Sequence, residues 1–103
     1  MEEQAKRNPV DYRYDILDPD FLHMMAQIAH YGAVTYGDFN WHKSRLTGDK
    51  SPVNHMYKHL SRFRKGDKYD HLDGDIRYHL AAIAFNAMME FFYVTKEFWK
   101  EDK

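Results

Sequence analysis

Tyr78-His79-Leu80-Ala81-Ala82-Ile83-Ala84-Phe85-Asn86-Ala87-Met88-Met89-Glu90-Phe91-Phe92-Tyr93-Val94 decides the fold class. Apolar residues recur here at helical spacing, and the pattern predicts one long helix over about residues 75–99. Ile76, Leu80, Ile83, Ala84, Ala87, Phe91, Val94 and Phe98 form one stripe. Tyr78, Phe85, Met89 and Phe92 form a second, on roughly the opposite side. A helix apolar on two sides is expected to be buried on two sides, with the second stripe meeting another subunit. Between the stripes His79, Asn86, Glu90, Tyr93 and Glu97 fall within about 60° of one another. That polar stripe reads either as the wet edge of an amphipathic helix or as the wall of a polar pocket. Asn86 favours the pocket, because Asn is a poor helix former and its neighbours here are apolar.

Working back along the chain, Ser51-Pro52 supplies an N-cap and a first helical residue. Val53, Met56, Tyr57, Leu60, Phe63 and Arg64 mark the expected inner face of that helix, which ends at Lys65-Gly66. Asp18-Pro19-Asp20 is a second start signal. Phe21, Met24, Met25, Ile28 and Tyr31 follow at helical spacing, and the helix should end near Gly32 or Gly37. Residues 1–13 read as a loose N-terminal arm and 14–103 as one helical domain. Tyr12, Tyr14 and Ile16 alternate with polar residues, the pattern of a short extended segment docked on the body. The expectation is an all-α domain of three to four helices in a homo-oligomer.

Composition supports the oligomer. A lone domain of 103 residues buries roughly two thirds of its unfolded surface, yet 44% of this chain is apolar and 17% aromatic. The formal net charge is −1, so no global field favours DNA or RNA. The absence of cysteine excludes disulfides and thiolate metal sites. No window has the apolar length of a membrane span, and Met1-Glu2-Glu3-Gln4-Ala5-Lys6-Arg7 lacks a signal-peptide core. A cytoplasmic setting is expected.

Several groups suggest chemistry. Tyr31-Gly32-Ala33-Val34-Thr35-Tyr36-Gly37-Asp38-Phe39-Asn40-Trp41 combines aromatic surface, amides and two glycines, which suits a flat, hydrogen-bonding ligand. His55 and His59 have a metal-clamping spacing but no third ligand nearby. His23 and His30 read as surface or interface residues. Asp67, Asp70, Asp73 and Asp75 crowd one turn, as Mg2+ ligands or as cap and turn residues. Lys58, Arg62, Arg64, Lys65 and Lys68 read as a solvated basic face, or as phosphate partners. No P-loop or dinucleotide-binding glycine motif is present.

Together the motifs resemble a small phage-type family, the dATP/dGTP diphosphohydrolase N-terminal domain. Its Tyr-Gly-Ala-x-x-Tyr-Gly-x-x-Asn-Trp block is matched by residues 31–41. Lys58-His59-Leu60, Gly66-Asp67-Lys68-Tyr69-Asp70 and Tyr78-His79-Leu80-Ala81-Ala82-Ile83-Ala84-Phe85-Asn86 follow in the family's order. Asp67 replaces a family Glu, and Tyr78 a family His. The four-carboxylate signature of the all-α nucleotide pyrophosphohydrolases does not occur in this chain. The resemblance implies a purine-nucleotide ligand and carries over to Tyr36, Asn40, Trp41, His59, Asp67, Asp70, His79 and Asn86.

Three functions follow as expectations. The first is sequestration of a purine nucleotide or nucleotide-derived immune signal in an infected or lysogenic bacterial host. Tyr36 or Trp41 would stack on the base, Asn40 and Asn86 would read its edges, and Lys58, His59 and Arg62 would meet phosphate. The second is a diphosphohydrolase with Mg2+ on Asp67 and Asp70, and with His59 or His79 as the catalytic residue. The third is a structural oligomerisation module.

Overall fold

Asp18 opens α1 (Pro19–Tyr36): its carboxylate accepts the Phe21 amide at 2.9 Å, and Pro19 takes the position where no amide hydrogen is needed. The helix runs straight through Gly32 and stops at Gly37, whose φ of 97° and ψ of 157° lie in a region essentially reserved for glycine. Phe39 is also left-handed, with φ 52°. These two residues swing the chain into a short 3-10 turn, Asn40–His42. Ser51 caps α2 (Pro52–Lys65) by accepting the Asn54 amide at 3.1 Å, and left-handed Gly66 closes it. Leu72, Asp73 and Gly74 then take three successive positive φ values, 54°, 63° and 69°. Asp75 caps α3 (Arg77–Glu101) through the Arg77 amide at 2.9 Å.

The computed structural model describes the backbone of residues 4–101 and the side chains of residues 4–97. Among them there are three α-helices, four 3-10 turns and no strand. Among the described residues no helix is long and apolar enough to cross a membrane. Residues Tyr14–Ile16 form a 3-10 turn rather than an extended segment, and Tyr12, Tyr14 and Ile16 are exposed.

Helix α3 is the common partner: α2 packs along it, α1 packs on it, and α1 and α2 meet only weakly. Its buried face corrects the expected one. Tyr78, Ala81, Ala82, Met89 and Tyr93 are buried, together with His79 and Asn86. The stripe of Leu80, Phe91 and Val94 instead faces outward, at 40%, 72% and 53% exposure. Phe98, the last residue of that stripe, lies beyond the described side chains.

The reason is chemical. Ala81 and Ala82 let neighbouring backbones approach closely, and the buried polar groups have internal partners. The Tyr78 hydroxyl donates to Gln27 of α1. The Tyr93 hydroxyl donates to the Trp41 carbonyl at 2.7 Å. With such partners, a polar-headed residue is as good an interior residue as leucine.

Helix α2 is rotated in the same sense. Pro52 and His59 are buried, and Met56 and Phe63 are half-buried. Val53, Tyr57, Leu60 and Arg64, also expected inside, are exposed. No residue of α1 is fully buried. The radius of gyration is 17.8 Å, against about 13 Å for a compact domain of this length.

Gly32 and Gly37 therefore have opposite stability signs. A Cβ at Gly32 would meet nothing within 4 Å. Gly32→Ala should stabilise the free protein by about 1 kcal/mol. Gly37→Ala should cost about 1–3 kcal/mol. Urea titration of both variants checks the pair; equal shifts would contradict the conformations assigned to them.

Candidate functional site

A cavity of about 880 Å³ opens between α1, the Gly37–Trp41 turn and α3. The α1 wall is built from small residues, Ala26, Ala29, Gly32 and Ala33, which leave the space unfilled. Tyr36, Phe39, Asn40 and Trp41 continue it. The opposite wall is Phe85, Asn86, Met88 and Met89 of α3. Lys50 and His55 approach from the start of α2. The structure thus brings together Tyr36, Asn40, Trp41 and Asn86.

Trp41 anchors the turn. Its ring stands edge-on to Phe92 at 5.1 Å, and its carbonyl accepts from Tyr93. His42 stacks on Phe92 with ring centroids 4.0 Å apart. Arg45 bonds both Glu90 and Glu97 and holds the following segment to α3. Tyr36 lines the cavity and is 68% exposed.

Sequence reasoning did not place Lys50 at the cavity and treated His55 only as half of a metal pair. The signal for both was the Ser51-Pro52 cap, which sets Lys50 and His55 at the positive end of α2.

Lys58, His59, Arg62, Asp67, Asp70 and His79 do not line this cavity. His59, Arg62, Asp67, Asp70 and His79 gather instead at the α2–α3 turn. His79 Nε2 lies 3.2 Å from the Asp67 carbonyl, which can only accept, so Nε2 carries the proton. His79 Nδ1 then accepts from His59 Nδ1–H at 3.0 Å, an assignment made from the bonding network. Tyr69 stacks against His59 at 5.7 Å. Burial, reinforced by Lys58 and the neighbouring histidine, pushes His59 down to about 4. At neutral pH it offers phosphate no positive charge.

Arg62 donates to both Asp70 oxygens, at 2.7 and 2.9 Å, and to the Lys68 carbonyl at 2.8 Å. It holds the Asp70 carboxyl below the usual carboxylate range. Asp67 lies 3.9 Å from the same guanidinium. Lys58 is exposed. Among the described residues no group of three or more His, Cys, Asp or Glu side chains converges as a metal site.

A family model described as dATP/dGTP diphosphohydrolase, N-terminal, matches residues 1–103. The chain belongs to that family. No curated protein and no solved structure matches it. Within this diphosphohydrolase N-terminal family member, the Tyr-Gly block and Asn86 meet at the cavity, whereas the other motifs build the turn between α2 and α3.

The buried His59 sets a pH dependence. The unfolded chain takes up a proton at this position near pH 6.5, while the folded chain resists it down to about pH 4. Stability is therefore full above about pH 6.5 and falls by about 3 kcal/mol on the way down to pH 4. His55, also lowered by burial, adds in the same direction. Urea unfolding from pH 7.5 to 4.5 should show this slope, and His59→Gln should flatten it. An unchanged slope in the variant would remove His59 as its source.

Proposed function

We propose that the protein binds a purine nucleotide or nucleotide-derived signal in the 880 Å³ cavity and holds it. In a phage-infected or lysogenic cell it would act as a cytoplasmic sponge for such a signal. The observation that carries this reading is the convergence of Tyr36, Asn40, Trp41 and Asn86 on one cavity in a chain of this family. The volume falls within the roughly 300–1,000 Å³ of small-molecule sites, and a mainly apolar lining with a few polar groups suits a base. Tyr36 supplies a stacking face, worth roughly 1–3 kcal/mol per base. Lys50, beside the N-terminus of α2, replaces Lys58, His59 and Arg62 as the phosphate partner.

The family description favours a second reading, diphosphohydrolysis of dATP or dGTP, for which the sequence offers Asp67 and Asp70 as Mg2+ ligands. The arrangement of Asp67 and Asp70 does not fit it. Both Asp70 oxygens accept from Arg62, and neither residue faces the cavity.

One experiment separates the two. Purified protein is incubated with Mg2+ and dATP, dGTP or cyclic purine nucleotides, washed and heat-denatured, and both the wash and the released ligand are chromatographed. Intact ligand released on denaturation supports sequestration; monophosphate with pyrophosphate, in the wash or in the denatured fraction, supports turnover; neither retained ligand nor product overturns both. Tyr36→Ala and Lys50→Ala should each weaken retention by roughly tenfold or more.

The outward stripe supports a homo-oligomer. The exposed Leu80, Phe91 and Val94 and the half-buried Ala84 and Ala87 repeat at alternating spacings of four and three, the seam on which two helices pack. Sedimentation should show an assembly larger than 12.4 kDa, and Phe91→Glu should dissociate it while far-UV helicity persists. A monomeric wild type would end this assignment.

A further inference from the structure

Asn86 is only 8% exposed and lies on the α3 wall of the cavity. Its Nδ2 donates to the Ala82 carbonyl, one turn back, at 2.8 Å. Because a carbonyl only accepts, this bond fixes which way the amide points. Oδ1 has no hydrogen-bond partner among the described residues and is not fully sealed from solvent, on a residue that lines the cavity. The deep wall therefore presents one committed acceptor, flanked by Phe85 and Met89. The charged Lys50 and Tyr36 also line the cavity, and both are exposed.

Resting on the nucleotide-binding reading above, we propose that Asn86 Oδ1 is the specificity-determining acceptor of the cavity. It takes an N–H from the base, so the occupant carries an exocyclic amine or ring N–H at its buried end. The phosphates then point outward to Lys50. A base with only C–H at that edge strips water from Oδ1 and returns nothing. An acceptor left unpaired in this way costs roughly 10- to 100-fold in affinity.

The test uses dATP, dGTP and the triphosphate of deoxynebularine, a purine with hydrogen in place of the 6-amino group. All three keep the stacking surface, sugar and phosphates. Calorimetry on the wild type should show the better of dATP and dGTP binding roughly 10- to 100-fold more tightly than the analogue. Asn86→Leu should bring that ratio close to one by weakening the natural nucleotide.

Equal wild-type affinities overturn the proposal, as does a ratio that survives in a folded Asn86→Leu. If the variant does not fold, the wild-type ratio alone decides. Failure of the wild type to bind any of the three overturns the Asn86 assignment as stated, whereas the cavity reading falls only if the retention experiment above also recovers no nucleotide of any kind, which keeps the two failures distinguishable.

Discussion

The fold depends on one helix serving two neighbours that scarcely touch each other. Helix α3 must present a face to α2 and another to α1, and it does so with residues that are either small or polar-headed. Ala81 and Ala82 set the approach distance, while Tyr78, His79, Asn86 and Tyr93 are buried because each has a partner within reach. A leucine-rich face would pack more apolar area but would leave no polar contact to fix register between helices. The arrangement also explains why there is a cavity. With α1 and α2 held apart by α3, small residues on α1 leave the space between α1, the Gly37–Trp41 turn and α3 open.

Helix boundaries were legible because capping is decided within three residues of the cap. Asp18, Ser51, Gly37 and Gly66 act through their own backbone or an adjacent amide, and no distant residue can overrule them. Helix faces were less legible. Periodicity reveals that α3 has two apolar stripes but contains nothing about which one finds a neighbour. The choice fell on the face bearing Tyr78 and Tyr93, whose hydroxyls are satisfied by Gln27 and by the Trp41 carbonyl. Those partners lie more than fifty residues away in sequence.

The same distinction runs through the site. The residue 31–41 block was readable because aromatics and amides around a glycine stop form a local unit. Asn86 was readable because it is out of place on an apolar helix. Joining His59, Asp67, Asp70 and His79 to them was not justified by the fold. Those residues satisfy one another at the α2–α3 turn, through a histidine pair, a backbone carbonyl and an arginine–carboxylate fork. Side-chain chemistry alone does not distinguish a ligand-facing histidine from one whose partner is another histidine.

Helix α1 has no fully buried residue, yet it forms one wall of the cavity. Its amides should therefore exchange with solvent deuterium sooner than those of α3, through openings smaller than global unfolding. The wall that an occupant would press against is, of the three helices, the one with the least burial holding it. An occupant would then act as a missing piece of core, and its arrival would be felt as ordering of α1 more than as a change of shape.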